Sequence, residues 1–377
     1  MKKRKWILGV LSFVMGGICG FVGIKCIFMI LPEEDLNVMT LCGAVALILV
    51  TVYLAVFLNT FLHETGHMVF GLLTGYRFSS IRFLSFMFIK EESGKIRLKK
   101  YKVAGTGGQC LMLPPEDGGE GCPYVLYNLG GCIVNLVIGI IAVGVHLIAG
   151  NSIISLIFYI IGIIGIFTAV INGIPVQEAS NDGYNTLLFS KNKDALKIFH
   201  VELNIVEKQS RGVPVSEMPK EWFDYLEGIK EFDNNMGVSA YTVVLGYYVE
   251  KKDFGKVKEM CVYAEENIKG MMALHEGIIK AEHLFAEIMT GMDKDKIEEL
   301  TDDKNRKTYE LLKTQISMLR VWYAYYLLYK NDKDKAEKYL DKFNKSEKTY
   351  PYKADFESEK NLIKYIDSIA AGGVQPV

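Results

Sequence analysis

The sequence predicts a mainly α protein: a four-span helical membrane domain with a small β-hairpin insertion, followed by a soluble domain of α-helical hairpin repeats. Three observations predict it. Four apolar runs, at about 6–30, 39–76, 124–149 and 152–175, reach the roughly 20 residues that cross a bilayer. A basic, partly alternating segment interrupts them over 78–103. From residue 184 onward, apolar positions recur every three or four residues among many charges. The 377 residues suffice for two domains, set at 1–185 and 186–377.

The first run follows Lys2, Lys3, Arg4 and Lys5, as a signal peptide would. It is longer than the apolar stretch of such a peptide and lacks a small-residue cleavage site, so it is read as a retained span. The loop after it is acidic (Glu33, Glu34, Asp35), whereas Arg77, Arg82, Lys90, Lys95, Arg97, Lys99, Lys100 and Lys102 follow the second run. The positive-inside rule therefore puts both termini and this basic segment in the cytoplasm, with the chain expected in a bacterial cytoplasmic membrane.

The second run is too long for a simple span. Its residues would extend about 55 Å as helix against a hydrocarbon core of about 30 Å. It must tilt, break or end in a partly buried helix, and Gly66, Gly71 and Gly75 mark where a break costs least. Within 78–103, Glu92-Ser-Gly-Lys95 reads as a hairpin turn between strands. Residues 105–115, rich in Gly and Pro, read as a loop that dips into the membrane interface or packs on the bundle.

The second run also carries His63-Glu-Thr-Gly-His67. Histidines at i and i+4 share a helix face and can ligate one Zn2+ ion, while Glu64 takes a proton from the activated water as general base. Ionisable groups inside an apolar helix are costly unless they serve a function. The alternative is a metal-free polar cluster that stabilises helix contacts. Catalytic zinc takes three protein ligands. Asp182, after the helix breakers Asn172 and Pro175, is the third candidate, with Glu178 as its competitor. Topology returns this segment to the leaflet that His63 and His67 reach.

With these residues the chain resembles the site-2 protease family of intramembrane zinc metalloproteases. His63–His67 is similar to that family's first element, and Asn172, Pro175, Asp182 and Gly183 to its third. Gly131-Cys-Ile-Val-Asn135 resembles the middle one, with Cys132 where proline is commoner. The resemblance covers about residues 39–185. It implies hydrolysis of a peptide bond in a membrane-embedded or membrane-adjacent protein or peptide. It implies that Asn135 positions the substrate carbonyl or stabilises the oxyanion, against the alternative of an interhelical amide hydrogen bond, and that the strands of 78–103 pair with an unwound substrate segment. His146, His200, His275 and His283 lack the zinc spacing and read as ordinary packing or solvation.

In the second half, Asp-rich turns recur at Asp253, Asp293 and Asp332, each expected to join two helices. The layout is tetratricopeptide-like, although its spacing of about 40 residues exceeds the usual period of about 34. Stacked hairpins leave a concave surface, which would suit a cytoplasmic protein partner. Several function classes fall away. No basic patch with interleaved aromatics supports nucleic-acid binding, and no CxxC pair among the seven cysteines supports a zinc knuckle. No inverted repeat supports a transporter. The remaining alternative is a catalytically degenerate membrane-anchored adaptor that binds a partner through its repeats.

Overall fold

A computed structural model describes residues 37–91, 93–101, 107–115, 122–149 and 152–372, with 13, 14, 17, 20, 21, 23–28 and 31. The first expected span, 6–30, lies largely outside the described residues, as do Lys2–Lys5, the acidic loop and Lys102. The chain forms two compact units. One comprises the chain up to Phe70, Val125–Pro175 and Asn181–Gly183; the other comprises Gly71–Tyr124, Val176–Ser180 and Tyr184–Val377.

Three helices dominate the first unit: α1 (Val38–Leu73), α2 (Tyr124–Ala149) and α3 (Ile153–Gly173). Each is long and apolar enough to cross a membrane, as befits a multi-pass membrane protein. Leu49, Tyr53 and Leu54 remain more than half exposed, and a lipid environment suits such apolar faces. The helix α1 does not break at Gly66 or Gly71; it runs 36 residues and stops just before Gly75, whose φ of 88° few other residues adopt. Its contacts explain the continuity. Backbones of α1 and α2 meet at Gly66 and Gly130, where an added Cβ on Gly66 would lie 2.5 Å from the Gly130 oxygen. A small residue here admits close helix approach, not a hinge. Polar bonds add to the contact. Asn59 Nδ2 donates to the carbonyls of Ala55 and Ile161, and His146 Nδ1 lies 2.8 Å from Ser155 Oγ between α2 and α3.

The second unit begins with an open antiparallel sheet of order β3-β2-β1-β4: β1 (Arg77–Phe83), β2 (Phe86–Lys90), β3 (Ile96–Lys100) and β4 (Gly108–Leu113). The expected hairpin is real, since Glu91 N–H donates to Lys95 C=O and Gly94 sits at φ 79°. It is half of the sheet. The Gly- and Pro-rich segment read as a loop supplies β4, which pairs with β1 through Ile81 opposite Cys110. Prolines 114 and 115 fall beyond the strand and cost it no ladder bond. Buried Arg82 ties the turn to β4 by donating to the Leu84 and Gly108 carbonyls.

The remaining helices are α4 (Asp182–Lys191), α5 (Lys193–Ser210), α6 (Lys220–Gly228), α7 (Asn235–Glu250), α8 (Phe254–Asn267), α9 (Ala273–Thr290), α10 (Lys294–Leu300), α11 (Asp303–Tyr309), α12 (Ile316–Ala324), α13 (Lys333–Ser346) and α14 (Lys353–Ala370). The three Asp-rich turns share one construction. A residue in the left-handed region (Lys252, Met292, Asn331) precedes an aspartate whose carboxylate accepts backbone N–H bonds opening α8, α10 and α13. The aspartate satisfies donors that a helix start leaves open. Behind these turns the helices close over a core that includes Phe254, Val257, Phe285 and Ile288. Arg320, buried in that core, donates to Glu282 and Glu359 and lies over the Phe285 ring. In the same unit, β4 packs on α5, and Tyr101 meets the rings of Tyr350 and Tyr352 ahead of α14.

Candidate metal centre

On α1, Asn59, His63 and His67 follow one another at i+4 and point to one face, where all three are buried. The crossing at Gly66 and Gly130 brings α2 against this face. Gly131 lies under His63, so an added Cβ there would stand 2.7 Å from the imidazole. Only a residue without a side chain leaves room for the ring.

Asp182 arrives from the segment that follows α3. α3 ends at Gly173, and Ile174 is extended, as the following proline requires. Asn181 then donates through Nδ2 to the carbonyls of Ile171 and Ile174, both at 2.6 Å. These bonds satisfy two open carbonyls at the end of α3 and fold the chain back on itself. Asp182 follows as the first residue of α4, and Gly183 lets α4 start directly against the Gly173 carbonyl.

The donor atoms converge. Asp182 Oδ2 lies 3.0 Å from His63 Nε2 and 3.5 Å from His67 Nε2, and the two imidazole nitrogens are 3.1 Å apart. Tetrahedral zinc bonds of about 2.0–2.2 Å to N and O separate neighbouring donors by about 3.3–3.5 Å. The His67–Asp182 separation matches this and the other two fall slightly short, so a small outward shift of the side chains admits the ion. His63, Cys132 and Asp182 likewise form a group able to hold a metal, with donor atoms all within 4.8 Å of one another. Burial disfavours the Asp182 charge, yet hydrogen bonds to His63 and His67 prevail and hold its carboxyl well below the usual carboxylate range.

The outer groups suit the same ion. His67 Nδ1 is 2.8 Å from the Tyr127 carbonyl, an acceptor that holds a proton on Nδ1 and turns Nε2 towards Asp182. Asn135 lies beside His63, with Nδ2 3.5 Å from Nδ1, while its buried Oδ1 has no partner. A half-turn of the amide, equivalent in shape, lets Oδ1 accept from His63 Nδ1–H and frees Nε2 towards the metal. Glu64 is buried next to His63 and acts electrostatically on His67.

The fold thus brings His63, His67 and Asp182 to one point, with Asn135 adjoining and Glu64 buried alongside. The side chain of Glu178, the competing ligand, falls outside the described residues. Asn59 and Asn181 escaped sequence reasoning; the available signal for Asn59 was a polar residue one turn before His63 in an apolar run. The other histidines serve elsewhere. His200 lies 3.3 Å from the Tyr76 hydroxyl, and His283 Nδ1 lies 2.7 Å from Glu265. No family model, no curated protein and no solved structure matches the chain.

Proposed function

We propose that the chain is an intramembrane zinc metalloprotease of the site-2 protease type, with His63, His67 and Asp182 as ligands. The observation that supports it most is the approach of both imidazole Nε2 atoms, carried by a helix fit to cross a membrane, to Asp182 Oδ2. When bound, zinc supplies Lewis acidity that activates water and polarises a carbonyl.

The chain's own residues do the rest. Tyr127, and Asn135 with its amide turned to present Oδ1, hold the two imidazoles in the tautomer that presents Nε2. Glu64, one residue from a ligand, takes the proton of the attacking water and delivers it to the departing amine. The substrate is a membrane-embedded or membrane-adjacent protein or peptide, whose helix must unwind before its peptide bond is accessible. In this reading both termini lie in the cytoplasm of a bacterium, and the helical array engages a protein partner there.

Glu64→Gln tests the proposal. Purified variant and wild type are expected to hold equal zinc, while membranes from cells carrying the variant accumulate an uncleaved protein. Equal processing by the variant would remove Glu64 from the mechanism. A wild-type chain that binds no zinc would favour the adaptor reading instead.

A further inference from the structure

Cys132 is not accounted for by that mechanism, yet it belongs to the metal-capable group. It is buried, and its Sγ lies 3.6 Å from Asp182 Oδ2. Its neighbours on α2 face the same way: Gly131 makes room for the His63 ring, and Asn135 sits beside His63 Nδ1. The turn of α2 that carries the thiol is therefore the turn turned towards the donors.

A cysteine serving only as a small filler would be expected among apolar atoms. This one lies against a carboxylate, with an imidazole donor atom within 4.8 Å, each already a candidate ligand. Zinc bonds of about 2.3 Å to sulfur and about 2.0–2.2 Å to oxygen, at a tetrahedral angle, separate S and O by about 3.5–3.7 Å. The observed Sγ–Oδ2 separation falls in that interval. A thiol–carboxylate hydrogen bond has a similar length, so distance alone does not decide between the two; the composition of the cluster does. Asn135 Oδ1, buried and unpartnered in the same turn, supplies a second indication, because it is satisfied when His63 turns Nε2 to a metal.

We propose that Cys132 is a further, displaceable metal ligand whose sulfur closes the resting site. The inference rests on the metal reading above. As the metal–sulfur bond forms, the S–H bond breaks and its proton passes to solvent. For hydrolysis the metal–sulfur bond breaks, the thiolate recovers a proton from solvent, and the vacated position admits water. Four protein donors make a closed site, whereas hydrolysis needs three and an open position. The resting protein is thus latent, and entry of substrate or a shift of α2 opens it. Sulfur also biases the site towards zinc or cobalt and away from magnesium or manganese.

The test uses the full chain in detergent, stripped of metal and reloaded with cobalt(II). Wild type is expected to bind stoichiometric cobalt and to show a sulfur-to-cobalt charge-transfer band in the near ultraviolet. Cys132→Ser and Cys132→Ala are expected to retain cobalt and lose the band. X-ray absorption of the zinc-loaded wild type is expected to show a sulfur scatterer at about 2.3 Å, a readout that does not depend on how the variants fold. Cobalt bound to wild type without the band, or a band that survives Cys132→Ala, overturns the proposal and leaves a three-ligand site standing. A wild type that binds no cobalt or zinc overturns both this proposal and the metalloprotease reading.

Discussion

Asp182 Oδ2 stands 3.0 Å from His63 Nε2, so the residue that opens α4 meets the interior of α1. Neither neighbourhood holds the other in place locally; the Asn181 bonds to the end of α3 do. Asp182→Ala is therefore expected to weaken zinc binding by more than the about 10–100-fold typical of an outer hydrogen-bond partner. Chelator competition on the purified protein measures it. Unchanged affinity would assign the third position to another residue.

Asn135 tests the orientation of His63. Asn135→Ala removes the group beside Nδ1 and is expected to lower zinc affinity by about 10–100-fold, with partial recovery in Asn135→Asp, which can still accept the Nδ1 proton. If Asn135→Ala binds zinc as wild type does while processing is lost, the amide acts on substrate.

Gly131→Ala places a Cβ 2.7 Å from the His63 ring. Overpacking of this kind costs about 1–3 kcal/mol, and the ring that must yield is a candidate ligand, so metal content should fall together with stability. Gly144→Ala on the same helix meets nothing within 4 Å and serves as the control. Thermal unfolding and zinc content, measured side by side, separate a local clash from a general intolerance of α2.

Arg320 concerns the helical array alone. Arg320→Met strands Glu282 and Glu359 in the core without their cation, which should destabilise the array by about 3–5 kcal/mol. Denaturation followed by Trp222 and Trp322 fluorescence reports it. Replacing both glutamates by glutamine as well should restore much of the loss; no restoration would trace the effect to lost packing on Phe285.

Glu202 makes the array sensitive to pH. Burial pushes its carboxyl up to about 7 against an opposing hydrogen bond from Ser239, and its Oε1 has no partner. The folded form thus holds the proton more tightly than the unfolded chain. Its contribution to stability is complete below the ordinary glutamate value of about 4.3 and is lost as pH rises through about 7. Wild type is expected to melt lower at about pH 8 than at about pH 5, and Glu202→Gln should flatten the difference. Identical profiles would exclude Glu202 as the source.

What was legible in the sequence was local. The face shared by His63 and His67 follows from helical spacing, the turn at Gly94 from its glycine, and the capped turns at Asp253, Asp293 and Asp332 from their recurrence. Asp182 was reachable because helix breakers and loop charges together confine it. Relations across the chain were not legible. Strand β4 looked like a loop, since Gly108, the glycines before it and the prolines after it are poor strand formers and only pairing with β1 makes it one. Gly66 looked like a weak point until Gly130 came to lie against it. The thiol of Cys132 had nothing in its neighbourhood to distinguish it from a filler.

The meeting of Gly66 and Gly130 bears on how such a chain can evolve. Because main chain rather than interlocking side chains sets the α1–α2 distance there, the apolar residues on the outer faces have little say in where the histidines stand. Their identities can drift with the lipid composition of the host while the ligands stay in register. Across relatives, the outer faces should therefore diverge freely around a nearly invariant pair of glycines. Pairwise likeness would then fade long before the placement of the histidines does.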